Sequence, residues 1–202
     1  MAGLFILPVR QIWRSLPKKV MKRGTGITGC PFLWASIFFI LFSCAGSSFI
    51  KESGTARIIP RVPFYPQEEY QCGPASLAGV LNFYGLKISP AEIAAAIFSK
   101  QARGTLDMDM LFYAQKKGLN ATQYTGSWED LQKNVDSNRP LIVLVDEGFW
   151  VYQKDHFMVV VGYDEGGLIV NSGKEQQAFI VRDHFLKTWA RTKYWTLGIA
   201  PK

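Results

Sequence analysis

The chain has 202 residues, of which 48% are hydrophobic, enough for one domain with a sizeable core. Its formal net charge of +7 comes almost entirely from residues 1–43, which hold six of the 23 Lys and Arg residues and none of the 16 Asp and Glu residues. From residue 44 onward 17 basic residues face 16 acidic ones, so the remaining domain is close to neutral, and its composition argues against binding to nucleic acid.

The N-terminal region, residues 1–43, has the layout of an export signal. Basic residues precede the apolar run Pro31–Phe42, whose 12 residues are too few for a bilayer span and typical of a signal-peptide core. The sequence LFSC at residues 41–44, which overlaps the end of this run, resembles the lipobox of bacterial lipoproteins. This resemblance implies cleavage before Cys44 and lipidation of that cysteine. Ala45, in place of Asp, implies sorting to the outer membrane. An uncleaved signal anchor is the alternative reading, and Met21 is an alternative start.

The rest of the chain is expected to form a tether over residues 44–60 and one domain over residues 61–202. The first half of this domain carries helix signals. Four helices are predicted in chain order. The first begins at Cys72 and ends at Gly85, and the second begins at a capping box formed by Ser89 and Glu92, with Pro90 at its first position. The third has acidic residues early, lysines late and Gly118 at its end, and the fourth begins at the Ser127/Asp130 pair.

The second half is rich in β-branched runs separated by turns. Strands are predicted over residues 141–145, 157–163, 168–171, 178–182 and 194–200, with a hairpin at residues 164–167 and a short helix capped by Asp183. Helices first and then a largely antiparallel sheet indicate the α+β class.

The chain has three cysteines, and only one is expected in the exported domain. Cys30 lies in the signal and Cys44 is the predicted lipidation site, so Cys72 has no partner for an internal disulfide. Cys72 is placed where a helix begins, and the free N–H groups and partial positive charge of a helix N-terminus stabilise a thiolate. This placement favours a nucleophilic role, although a small buried cysteine of the core is the plainer interpretation.

A cysteine nucleophile needs a base, and the chain has only two histidines. His184 follows a charged helix start and is interpreted as structural, whereas His156 directly precedes an apolar strand. The return strand of the hairpin brings Asn171 and Ser172 near His156, and Asn171 is the stronger candidate to orient the imidazole. The backbone N–H of Cys72 and the side-chain amide of Gln67 are candidate oxyanion donors.

Two segments together resemble cysteine peptidase family thirty-nine, the double-glycine leader peptidases with a papain-like fold. These are VPFYPQEEYQCGPASLAGVLNFYG (residues 62–85) and HFMVVVGYDEGGLIVNSG (residues 156–173). The resemblance implies that Cys72 is the nucleophile, His156 the base and Gln67 the oxyanion donor. The family usually has an Asp after the return strand, and here that place falls on Ser172 or Asn171.

These observations predict a membrane-anchored cysteine peptidase on the periplasmic face of a bacterial envelope, acting on a peptide or protein. The alternatives are a peptide-binding module on the same fold, suggested by the missing Asp, and a cell-wall amidase of the NlpC type, which QCGPAS argues against. The sequence has no phosphate-binding glycine loop, so ATP is not implied. One cysteine and two separated histidines predict no metal site, and no cofactor is expected.

Overall fold

A computed structural model describes residues 56–67, 70–102 and 104–202. The predicted signal, Cys44 and most of the predicted tether lie outside the described residues, so the predicted boundaries of these segments stay predictions. No helix in the described ranges is both long and apolar enough to cross a membrane.

Five helices are described. They are α1 (Cys72–Phe83), α2 (Pro90–Ile97), α3 (Asp107–Lys116), α4 (Trp128–Asp136) and α5 (Arg182–Ala190). The capping box predicted for α2 is present, because the Ser89 hydroxyl accepts from the Glu92 backbone N–H and the Glu92 carboxylate accepts from the Ser89 N–H. At the start of α4 the Ser127 hydroxyl accepts from the N–H of Asp130. Local capping rules therefore placed these helix starts correctly.

Nine strands are described. They are β1 (Arg57–Ile58), β2 (Phe98–Ser99), β3 (Gly104–Thr105), β4 (Asn120–Thr125), β5 (Leu141–Asp146), β6 (Asp155–Tyr163), β7 (Gly167–Ser172), β8 (Glu175–Val181) and β9 (Trp195–Ala200). The main sheet is antiparallel in the order β4-β9-β5-β6-β7-β8, and β1 pairs with the end of β6. A separate two-stranded hairpin joins β2 and β3.

The α+β prediction is confirmed, with several differences in detail, among them the two-residue strands β1, β2 and β3, which the sequence did not predict. Strand β4 was not predicted, because its sequence NATQYT is mostly polar and it gains its order by pairing along its whole length with the C-terminal strand β9. Asp183 lies in the first turn of α5 and does not cap it, since the N-cap residue is Val181.

Helix α1 lies close to the segment that precedes it and to the centre of the sheet. A side-chain carbon added at Gly79 would lie 2.9 Å from the carbonyl oxygen of Pro63, so the two segments approach more closely than a larger residue allows. The Ser76 hydroxyl, one turn beyond Cys72, is buried and donates to the carbonyl of Phe157 at 3.3 Å. The first turn of α1 is therefore fixed against the start of β6.

Candidate active site

Cys72 is the first residue of α1, as the sequence predicts, and is a free thiol that is largely buried. The backbone N–H groups of Cys72, Gly73 and Phe157 point at the sulfur and favour its thiolate. Phe157 directly follows His156 along β6, so the thiol lies beside the backbone of the strand that carries the predicted base. Helix and strand thus bring together the two residues that the sequence separates by more than 80 positions.

Burial dominates the acidity of this thiol. It raises the pKa of Cys72 above its ordinary value, although the three N–H groups lower it, and the carboxylate of Glu147 adds to the increase. In the free protein Cys72 is therefore a neutral thiol near pH 7.

His156 is in the second position of β6 and is half-buried, and its Nε2 lies 2.8 Å from the Ser172 hydroxyl. This contact leaves Nδ1 as the ring nitrogen available to the thiol. A hydroxyl can donate or accept, so Ser172 orients the ring without imposing one tautomer. An imidazole with Nε2 protonated and Nδ1 free can accept a proton at Nδ1.

Asn171 has a different partner from the one the sequence suggested. Val159 pairs with Asn171 across β6 and β7, and successive strand residues point to opposite faces. Ser172 therefore shares the face of His156, and Asn171 does not. The Asn171 side chain is buried and accepts from the backbone N–H of Gln177 at 3.0 Å, where the β7–β8 register shifts. Of the two sequence candidates, Ser172 makes the contact with His156.

Burial also dominates at His156, where it lowers the pKa of the imidazole below its ordinary value. Glu147 opposes this decrease and Lys154 adds to it. These two residues face each other across the β5–β6 hairpin, since the N–H of Glu147 donates to the carbonyl of Lys154 and their side chains form an ion pair at 3.2 Å. The two charges change the pKa of His156 in opposite directions, and sequence reasoning missed both residues.

Gln67, the predicted oxyanion donor, is buried in the loop before α1. Its backbone N–H donates to the carbonyl of Gly173 at 2.8 Å, which ties this loop to the residue after Ser172. Its side-chain oxygen has no partner within the described part of the chain. The fold therefore buries this amide near the end of β7 without giving its oxygen a structural contact.

A second contact fixes the N-terminus of α1. A side-chain carbon added at Gly73 would lie 2.8 Å from the Cβ of Thr105, so the β2–β3 hairpin approaches the helix start closely only because residue 73 is glycine. The Thr105 hydroxyl is buried and has no partner among the residues described. Gly73 is part of the Cys-Gly-Pro motif noted in the sequence, but nothing in the sequence identified Thr105 as its neighbour.

No three His, Cys, Asp or Glu side chains within the described ranges are grouped so as to hold a metal ion. The predicted lipidation site, Cys44, lies outside the described residues.

Comparison with known protein families identifies one family for this chain. Residues 59–196 match the sequence model described as the Peptidase_C39 like family. A curated protein from Methanothermobacter thermautotrophicus, itself uncharacterised, is 33% identical over 96 residues, which are 48% of this chain and 60% of that protein. The match thus spans less than two thirds of that relative.

Solved structures share the fold. The peptidase domain of Streptococcus ComA, a bifunctional ABC transporter involved in quorum sensing, is 26% identical with a TM-score of 0.58, covering 70% of this chain and 99% of that domain. A double-glycine motif protease from an AMS/PCAT transporter, solved with its leader peptide, is 23% identical with the same TM-score and covers 72% and 96%. A proposed C39-like peptidase from Bacillus anthracis is 17% identical with a TM-score of 0.61, covering 73% and 98%. The predicted papain-like peptidase fold is confirmed.

Proposed function

Because the chain belongs to the Peptidase_C39 like family, we propose that it is a cysteine peptidase that hydrolyses peptide bonds with Cys72 as nucleophile and His156 as base. The observation that carries this proposal is the convergence of three segments. The start of α1 brings the thiol to the N–H of Phe157, β7 brings Ser172 to within 2.8 Å of the imidazole, and the Gln67 loop is tied to the residue after Ser172.

The raised pKa of Cys72 and the lowered pKa of His156 favour one order of events in the first step. Burial keeps both the thiol and the imidazole neutral, so the thiol proton passes to Nδ1 of His156 as the sulfur attacks the substrate carbonyl. The N–H of Cys72 and the Gln67 amide stabilise the resulting oxyanion. The imidazolium then protonates the leaving amine, and a water molecule deprotonated by His156 hydrolyses the thioester to release the carboxylic acid and the thiol.

The Glu147 carboxylate supplies part of the electrostatic stabilisation that an acidic residue at position 172 would give to the imidazolium of His156. Its negative charge favours imidazolium at His156, the species formed in the first step. The ion pair with Lys154 weakens this effect, and the same carboxylate disfavours a thiolate at Cys72. Glu147 therefore favours transfer of the proton at the moment of attack over a preformed thiolate–imidazolium pair.

We further propose a peptide or protein substrate in the bacterial envelope. A related protease was solved with a leader peptide bound, which supports a peptide as the ligand class. The basic and apolar N-terminal segments and the LFSC sequence support export and lipidation at Cys44, with the domain on the periplasmic face and the outer membrane favoured.

Cleavage of a peptide library, followed by mass spectrometry, tests the proposed activity. The full chain carrying Cys30→Ser and Cys44→Ser should cleave a subset of peptides, and adding Cys72→Ser should abolish that cleavage while leaving the circular dichroism spectrum unchanged. Equal cleavage by the Cys72→Ser protein would exclude Cys72 as the nucleophile.

A peptide-binding module is the second candidate, and a specific observation favours it. Ser172 stands where the resemblance implies an acid, and both active-site groups are held in their neutral forms. This candidate predicts that the library experiment yields no cleaved peptide, and that peptides retained by the wild-type chain are retained equally by Cys72→Ala.

A further inference from the structure

The hairpin that joins β5 and β6 carries a feature that catalysis does not use. Its tip, residues 148–152, exposes four consecutive apolar or aromatic side chains: Phe149 (85% exposed), Trp150 (87%), Val151 (90%) and Tyr152 (69%). Single exposed apolar residues are ordinary on protein surfaces, but a contiguous run of this size marks an interaction site.

The tip is a defined turn. The N–H of Tyr152 donates to the carbonyl of Phe149 at 3.0 Å, and Trp150 has a positive φ of 54°, which is uncommon for a bulky residue. A side-chain carbon added at Gly148 would lie 2.8 Å from the backbone nitrogen of Lys154, so the two arms of the hairpin are in close contact below the turn. The backbone therefore holds the four side chains outward at some conformational cost.

A buried carboxylate supports the base of the tip. Asp146 accepts from the N–H of Gly148 at 2.8 Å and from the N–H of Lys154 at 2.9 Å, and it pairs with the Arg191 guanidinium at 2.8 Å. Arg191 also donates to the carbonyl of Gly148. The Asp146 side chain is 6% exposed and that of Arg191 36%, so this is a partly shielded ion pair that anchors the hairpin to the end of α5.

We infer that the β5–β6 tip inserts into the interfacial region of a lipid bilayer. All four consecutive side chains are at least 69% exposed, so the exposed apolar surface is not confined to the alternate residues of one strand face. Trp and Tyr favour the boundary between lipid and water, where a polar group stays hydrated while the ring is buried. The tip thus has the shape and chemistry of an interfacial anchor.

The length of the chain before the domain is compatible with this placement. The tip and β1 lie at opposite ends of β6, whose nine residues span about 30 Å at ~3.3 Å each. Eleven residues separate Cys44 from Ala56, and they reach about 40 Å when extended. A lipidated Cys44 therefore lets the tip reach the same bilayer. The shared attachment to one bilayer rests on the proposed lipidation of Cys44, whereas insertion of the tip does not depend on it.

Fluorescence quenching by brominated lipid tests the inference without measuring peptide cleavage. The full chain is mixed with vesicles of phosphatidylcholine with or without brominated acyl chains, and the emission of Trp150→Phe is subtracted from that of the wild type. We expect the difference emission, which reports Trp150, to be largely lost in brominated vesicles. Undiminished difference emission would overturn the inference.

A pair of variants separates insertion of the tip from passive tethering to the vesicle. Phe149→Ser/Tyr152→Ser retains Trp150 as the reporter but removes its two aromatic neighbours, and should restore its emission in brominated vesicles. Phe179→Ser, which removes an aromatic side chain from exposed β8, is the matched control and should leave the quenching intact. Quenching that survives the double substitution overturns the inference, as does self-association through the tip, detected as a Trp150-dependent increase in sedimenting mass.

Discussion

Replacing Ser172 by Asp should increase the rate of peptide cleavage. The Ser172 hydroxyl lies 2.8 Å from Nε2 of His156 and can either donate or accept. A carboxylate at this position only accepts, so it selects the tautomer with Nε2 protonated and leaves Nδ1 free for the thiol proton. It also stabilises the imidazolium that forms when Cys72 attacks.

The magnitude follows from the kind of hydrogen bond that is exchanged. A neutral hydrogen bond contributes about 1 kcal/mol and a bond to a charged group about 1.5–3 kcal/mol. The difference of about 0.5–2 kcal/mol corresponds to a roughly 2- to 30-fold increase in kcat. Since the same energy favours the charged imidazole, the pKa of His156 should rise, which opposes the decrease caused by burial.

The assay is the pH dependence of kcat for a peptide identified in the library, measured for the wild type, Ser172→Asp and Asn171→Asp. Asn171→Asp introduces the same charge one residue away, and its carboxylate still accepts from the N–H of Gln177. We expect a higher kcat, and an acidic limb shifted to higher pH, only for Ser172→Asp. An unchanged rate, or an equal increase in both variants, would refute the orienting role of Ser172.

Further predictions concern the groups around the thiol and the imidazole. Glu147→Gln removes the charge that raises the pKa of His156, so the acidic limb of the cleavage profile should move to lower pH. Lys154→Met removes the charge that lowers the pKa of His156, so the acidic limb should move to higher pH. Shifts of the limb in the same direction in both variants would contradict this reasoning. Gly73→Ala places a methyl group 2.8 Å from the Cβ of Thr105 and should reduce the free energy of unfolding by about 1–3 kcal/mol in urea denaturation. Adding Thr105→Gly removes every clashing atom, so the double variant should be more stable than the sum of the two single effects, and simple additivity would contradict the contact.

The features that local chemistry determines were predictable from the sequence. The capping box at Ser89, the helix start at Cys72 and the β-branched runs of the sheet each follow from neighbours within a few residues. The proposed pairing of the helix-start cysteine with the strand-edge histidine also came from local signals, because the sequence contains only two histidines. Fold class and principal site candidates therefore needed no tertiary information.

The rest depends on register and on contacts between distant segments. Whether Asn171 or Ser172 faces His156 is decided by one residue of strand alternation, and a one-residue change in the hairpin reverses the answer. The influence of Glu147 on the pKa values of Cys72 and His156 arises from the way β5 and β6 pair, which no local pattern encodes. Thr105 meets Gly73 only because a short hairpin folds back onto the helix start.

Alkylation of the thiol decides whether proton transfer accompanies attack or precedes it. In the full chain carrying Cys30→Ser and Cys44→Ser, Cys72 is the remaining thiol, and its rate of reaction with iodoacetamide follows the thiolate fraction.

Because burial and Glu147 both raise the pKa of Cys72, the rate should rise with a midpoint above the ordinary thiol value of about 8.5. Glu147→Gln should lower that midpoint, and His156→Ala should leave it nearly unchanged, because the imidazole is already neutral at that pH. Rapid alkylation near pH 6 that is lost in His156→Ala would show a preformed thiolate–imidazolium pair. The proton would then leave Cys72 before the substrate binds, and the proposed order of the first step would have to be reversed.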